Sequence, residues 1–469
     1  MKYNRFFIAR LCLMCAGLIL ISCQKSPKFS VSSNEVIIDA FPVGSFDIDI
    51  TSDVDWKVTE IKMDDKDWLT VSPLDGKGDG LITLKAEENH AFTSRSARIA
   101  VSGTGVKTDT IWVTQMSDMD IKGKIVDQIF REYCLNEFDN DPKDGILSMK
   151  EARSAGTINV SKMHISRLDG IEYFTKLRTL NCSYNDLERL DVRQNKDLTE
   201  LNCYFNSIKS LDVSNNSELR TLHCSYNPIS KIDVSGLEKL MDLEIYNAEI
   251  TEIDVSHNAK LAYLAISNNK VANVDVSNNK ELQGLECNEN GLATLNVSSN
   301  PKLRYLYCGN NKLTTLNLEN NSSLTNLWCN YNQLTGISLG NLTNLQFLMC
   351  SNNPFTNGLE LRYNTNLTEL YCSAIHLSTL SLSNNLELKQ LHCDGNQLTT
   401  LDLKNNTLLE GLRCSNNNIQ NEINIVKNKK LTYIDIRNNP NLITIYVWSD
   451  FIAGGDYSKD QTAQWDKTP

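Results

Sequence analysis

The chain has 469 residues, 41% hydrophobic and 22% charged, with a net charge of −11. That length is several domains' worth, and the acidic balance argues against nucleic-acid binding, because neutralising phosphates takes an excess of Lys and Arg. No Gly-rich phosphate loop precedes a helix. The six His residues (90, 164, 223, 257, 376 and 392) are scattered, and none falls in a motif with a nucleophile or metal partner. No catalytic set emerges, and a non-enzymatic protein is expected.

Lys2, Arg5 and Arg10 precede an apolar run through Ile21, the pattern of a secretory signal. The run ends in Leu20-Ile21-Ser22-Cys23, which resembles the bacterial lipobox. The resemblance implies cleavage after residue 22 and acylation of Cys23. The alternatives are an ordinary signal peptide or a single membrane anchor. Residues 1–22 are therefore assigned to the signal and 23–33 to the lipidated cysteine and a polar tether. Two or more acyl chains anchor stably, so the expected location is the cell envelope, at the outer membrane, with the face left open.

Residues 34–116 alternate in the manner of a β-sandwich, with runs at 35–38, 46–50, 56–58, 81–85, 97–101 and 110–115 separated by Gly- and Asp-rich turns. Trp56, the segment WLTVSPLDGKGDGLITLKAEEN, Arg98-Ile99-Ala100-Val101 and Ile111-Trp112-Val113-Thr114-Gln115 resemble the BACON family of bacterial Ig-like domains. The resemblance implies an association with glycan-active or glycan-binding lipoproteins. Trp56 and Trp68 fit core packing better than a sugar platform, because alternating strands bury their aromatics.

Residues 117–160 are expected to form a short helical cap, with Ile125, Ile129, Tyr133 and Phe138 marking one apolar face. Residues 138–151 resemble an EF-hand or dockerin calcium loop, which implies Asp139, Asp141, Asp144 and Glu151 as oxygen ligands for calcium. One extra residue between Asp141 and Asp144 departs from that pattern, and Ser148 with Glu151 also fits a plain capping box.

Residues 161–447 repeat LNCSYNDLERLDV about thirteen times. Cysteines recur 21 apart from Cys182 to Cys350, with Ile245 and Ile266 filling the two gaps. One insertion shifts the phase to Cys372, Cys393 and Cys414, and another to Ile436. Such a period means stacked coils, in which each neighbour covers the Leu stripe a single coil cannot bury. Asn follows the ladder position by three residues in eleven coils and should bond the turns, with Ala248 and Ile375 as exceptions. The nested L-x-x-L-x-C-x-x-N and L-x-x-L-D-V halves resemble the short bacterial class of leucine-rich repeats, which implies a recognition scaffold that binds on its parallel strand face.

Cys134 and ten ladder cysteines remain after the signal and Cys23. That is an odd number in a row of parallel side chains, which suits small buried hydrophobes better than bridges or zinc. Stacking brings Tyr305, Tyr307, Trp328, Phe347, Met349 and Tyr371 onto neighbouring strands of the outward face. Asp242, Glu244, Glu286 and Glu289 make an acidic stretch beside them. Large exposed apolar patches mark interaction sites, although aromatics also fill exposed strand positions through β-propensity alone. Residues 448–469 lack the period; Trp448, Phe451 and Trp465 are expected to cover the last coil, followed by a loose tail.

The expected architecture is multidomain: an all-β Ig-like sandwich, a short α-helical cap, then a leucine-rich repeat β-solenoid of about thirteen coils. A protein ligand bound through the aromatic cluster is the leading expectation. Glycan capture is the alternative, and a hydrolase is retained only through the company that BACON domains keep.

Overall fold

The computed structural model describes residues 26–467 except 43, 65–66 and 141–142. The expected signal and Cys23 lie outside the described residues. The chain divides after Met119 into two compact units.

The first unit is a two-sheet sandwich of nine strands: β1 (Phe29–Val31), β2 (Glu35–Ile38), β3 (Phe46–Ser52), β4 (Asp55–Met63), β5 (Leu69–Ser72), β6 (Asp75–Lys77), β7 (Gly80–Ala86), β8 (Arg95–Gly103) and β9 (Asp109–Gln115). The sheets run β1-β3-β7-β5 and β2-β9-β8-β4-β6. All pairs are antiparallel except β2 with β9. Period-two alternation produces this layering, since Ile48 and Ile50 are buried between the outward Asp47, Asp49 and Thr51.

Trp56 and Trp68 are 3% and 1% exposed in the shared core, which removes them as a sugar platform. The Trp56 indole N–H donates to the Gly78 carbonyl at 3.0 Å. A Cβ at Gly76 or Gly80 would run into the Trp56 ring, and Gly78 between them takes a left-handed φ of +65°, which together account for the glycines of DGKGDG. Residues 29–31, expected in the tether, instead form β1 against β3. Strands β5 and β6 are also additions; β5 alternates over only four residues, and β6 is a three-residue Asp-Gly-Lys run.

The second unit begins with two helices, α1 (Gln128–Phe138) and α2 (Met149–Ser154). The Asp127 carboxylate caps α1 by accepting from the Ile129 and Phe130 amides. The buried face of α1 is Phe130 and Cys134, not the expected Ile129 face. Ile129 is 41% exposed, and Ile125 is buried but precedes the helix. Phe130 faces Phe174 at 6.3 Å, a contact between residues far apart in the chain that turns this face of the helix inward. Ser148 and Glu151 form the capping box of α2.

Fifteen parallel strands follow in register, from Thr157–Asn159 to Tyr457–Ser458. This adds one strand on either side of the thirteen expected, one inside the presumed cap and one inside the presumed tail. Each of the fourteen three-residue strands buries its middle residue and turns its first and third to the other face, as in Tyr305-Leu306-Tyr307. The next residue, Cys308, points back into the core. Cys134 and the ten ladder cysteines are free and fully buried. Burial pushes their thiols up, Cys203, Cys287 and Cys329 to about 12. Replacing Cys308 with Val is expected to cost under ~1.5 kcal/mol, the scale of near-isosteric core swaps. Titration of the unfolded, unreduced protein should recover all the ladder thiols.

The Asn column stitches coil to coil. Asn332 donates to the carbonyls of Cys308 (2.9 Å) and Cys329 (3.1 Å) and accepts from the Leu313 amide at 2.9 Å. Where Ala248 and Ile375 replace Asn, the amide one coil earlier turns back instead. Ile229 N–H donates to the Asn227 carbonyl at 2.7 Å, and Phe355 N–H to that of Asn353 at 3.0 Å. A second column runs along the opposite wall, exemplified by Asn321, which donates to the carbonyls of Val297 and Asn300 at 3.0 Å each.

The C-terminal end is closed rather than loose. Gln464–Asp466 pairs with Leu442–Tyr446, and Phe451 packs against Trp448 (4.9 Å), Trp465 (4.9 Å) and Tyr457 (5.2 Å).

Candidate recognition surface on the strand face

In-register stacking places outward residues 21 or 22 apart side by side. Tyr307 thus pairs with Trp328, Trp328 with Met349, Met349 with Tyr371 and Tyr371 with His392. The rings form one unbroken chain. Tyr307 stacks on Trp328 at 4.3 Å between centroids, Trp328 meets Phe347 at 5.8 Å, Phe347 stacks on Tyr371 at 5.3 Å, and Tyr371 meets His392 edge-on at 4.6 Å. All six expected residues lie on this face, half-buried rather than fully exposed because each ring covers its neighbours. Tyr305 stands apart from the ring chain, beside Arg304. His392 extends the row and was not singled out from sequence, although it occupies the same column. The Tyr371 hydroxyl donates to Glu369 at 2.9 Å, and burial first, then this contact, pushes its pKa up to about 12.

Beside the rings is a hollow of about 370 Å3 lined by Asp242, Glu244, Tyr263, Ala265, Gly284, Glu286, Tyr305 and Tyr307. It exists because Ala265 and Gly284 are small where neighbouring coils carry long side chains. At Gly284 a Cβ would meet the Tyr263 ring at 2.7 Å. Asp242 and Glu244 are half-buried rather than a solvent-washed rim, whereas Glu286 is exposed. His223 Nε2 lies 3.4 Å from Asp242 Oδ2 and 3.8 Å from Glu244 Oε1. Desolvation raises the Glu244 carboxyl above the usual range, His223 opposing and Asp242 adding to it. Desolvation and Glu244 raise that of Glu286. Burial alone would lower His223, but Asp242, Glu244 and Glu200 outweigh it and raise its pKa.

A second aromatic row was missed in the sequence. Tyr184, Tyr204, Phe205, Tyr226 and Tyr246 lie within 5.2 to 6.3 Å of one another in successive contacts. Tyr184, Phe205 and Tyr226 occupy the left-handed turn position two residues after each ladder cysteine. Reading that column down the chain would have found them.

The expected calcium loop is held by its own backbone. The Asp139 carboxylate accepts from the amides of Asp144 (3.1 Å) and Gly145 (2.8 Å), and Glu151 accepts from the amides of Asn140 (3.0 Å) and Ser148 (2.9 Å). Asp141 lies outside the described residues.

The fold and this face define a class, the leucine-rich repeat solenoid. The functional domain of InlJ from Listeria monocytogenes, which includes a cysteine ladder, is 30% identical, with a TM-score of 0.66 over 71% of this chain and 77% of that one. Internalin InlF from the same organism is 21% identical, with a TM-score of 0.55 over 74% of this chain and 98% of that one. The plant peptide hormone receptor RGFR1, in complex with RGF2, shares the fold at 21% identity and a TM-score of 0.53, over 66% of this chain and 54% of that one. The chain belongs to the leucine-rich repeat proteins of the internalin type. Residues 54–116 match the BACON family, described as "Putative binding domain, N-terminal". No curated protein matches the chain.

Proposed function

We propose that this protein is a lipid-anchored, cell-envelope recognition protein that binds a protein partner through the strand face of its solenoid. The observation that carries this reading is the unbroken chain of rings from Tyr307 to His392 beside an acidic hollow. Rigid, half-covered aromatics offer large contact area at small entropic cost, and such residues dominate binding energy at interfaces. The relatives support it, one being a receptor seen with its peptide hormone.

The test is to screen envelope and host-surface proteins for a ligand of the full chain and compare affinities for wild type and Trp328→Ala. A ligand indifferent to Trp328 and Tyr307 would move the site elsewhere. Glycan capture keeps one supporting observation: Trp112 is 54% exposed on the outer face of the sandwich, near the 71% exposed Ile37. A glycan array that lights up for wild type and goes dark for Trp112→Ala would favour that reading.

The anchor is tested separately. Cys23→Ser is expected to abolish lipid labelling and release the protein from membranes. Equal retention of the variant would mean that the apolar run up to Ile21 is an uncleaved membrane anchor.

A further inference from the structure

We propose that His223, Asp242 and Glu244 form a binding site for a divalent transition-metal cation, with Zn2+ the best fit. The site lies on the strand face at the edge of the acidic hollow. The inference is independent of the partner-binding reading.

The repeat itself assembles the ligands. Strand Thr221–His223 pairs with Asp242–Glu244 so that Thr221 faces Asp242 and His223 faces Glu244. The first and third positions of each strand point outward, so both carboxylates emerge on the same side as the imidazole. One donor atom from each residue lies within 4.8 Å of the other two, the only such trio found among the described residues. Two of the separations are already 3.4 and 3.8 Å. Donors bound at about 2.1 Å around a tetrahedral Zn2+ sit about 3.4 Å apart, so the trio needs only a small side-chain adjustment to close on an ion.

A second observation points the same way. Asp242 Oδ1 is sealed from solvent and has no hydrogen-bond partner, although its carboxylate faces His223 through Oδ2. Buried polar atoms left unpaired are costly and call for an occupant.

The donor set selects the kind of cation. Calcium and magnesium prefer all-oxygen shells, whereas imidazole with carboxylates suits Zn2+ and its neighbours. An organic ammonium would be poorly served by an imidazole, which takes up a proton and becomes a cation itself. Three protein ligands leave a fourth position open. Asp242 and Glu244 also line the hollow, so that position faces the space beside Glu286 and Tyr307.

The test is to strip the full chain with a chelator and titrate it with Zn2+ by calorimetry near neutral pH. One saturable equivalent is expected, lost in His223→Ala and in His223→Gln, and weakened at least tenfold by Asp242→Asn or Glu244→Gln. His257→Ala, on the opposite wall, should bind as wild type, and Ca2+ should not compete. Co2+ in place of Zn2+ should give the visible absorption of a tetrahedral nitrogen–oxygen site. Thermal melts of each variant confirm that it folds. Absence of saturable Zn2+ binding would overturn the proposal and leave the trio as an ordinary imidazolium ion pair. So would undiminished binding in both folded His223 variants.

Discussion

Replacing Trp328 with Ala is expected to weaken ligand binding by ~2 kcal/mol or more, about thirtyfold. The indole is the third-position ring of the second strand in the row, covered on both sides, stacked on Tyr307 and leaning on Phe347. Central aromatics carry interface energy because their surroundings exclude water. Truncation also costs stability, because each ring contact is worth about 0.5–1.5 kcal/mol. Part of that loss is offset, since the buried Trp328 indole N–H has no hydrogen-bond partner. A fall in stability of about 1–2 kcal/mol is therefore expected. Trp328→Phe should keep most of both binding and stability. Affinity and thermal unfolding measured together check this. A stability loss comparable with a core deletion, at unchanged affinity for a surviving folded fraction, would show that the ring braces the sheet and does not bind.

Asn332→Ala should cost more than a change in the cysteine column, at about 1–3 kcal/mol. It strips the Leu313 amide of its partner, and a buried backbone group left unpaired costs about 1–3 kcal/mol; the Cys308 and Cys329 carbonyls each lose one of two donors and keep Asn311 and Asn353. The natural Ala at 248 escapes this cost because the Ile229 amide has already turned back onto Asn227. Chemical denaturation of Asn332→Ala beside Cys308→Val separates the two columns: the first should fall sharply and the second barely. Solenoid coils depend on their nearest neighbours, so the Asn variant should also broaden the transition. Equal losses in the two variants would mean that packing, not the amide network, joins the coils.

The repeat was legible because a fixed period turns the sequence into columns, and each column has one job. Leu306 and Cys308 are core, Tyr305 and Tyr307 face out, and Asn311 turns the chain; all follow from position alone. What failed to show was structure without a period. Strand β1 is three residues long in a polar stretch, and the face α1 buries is chosen by a distant partner, Phe174, against Phe130. Strand Tyr457–Ser458 has lost the Leu and Cys that mark its counterparts. His223 was passed over for a different reason. A motif search runs along the chain, whereas the partners Asp242 and Glu244 lie 19 and 21 residues on and become neighbours only through stacking. The signal was present in the outward column, where His223 is followed by Glu244. The second Asn column was also visible, three residues after the end of the L-D-V half in most coils, as in Val213 to Asn216, but its role needed the carbonyls of the preceding coil to be in place.

In this architecture distance is counted in whole numbers. The strand carrying Asp242 and Glu244 and the strand carrying Trp328 are four steps apart, and each step is ~4.8 Å. Excising residues 270–290 would join Asn269 to Gly291 in phase, remove one step, and slide the ring row toward His223 without turning any side chain to the other face. A lineage could therefore lengthen or shorten the span between two contact points by duplicating or losing whole coils. The surplus residue between Cys350 and Cys372 shows that the turns also tolerate single insertions. Partner size could be matched as with a ruler, by adding or removing divisions while the marks on each one stay the same.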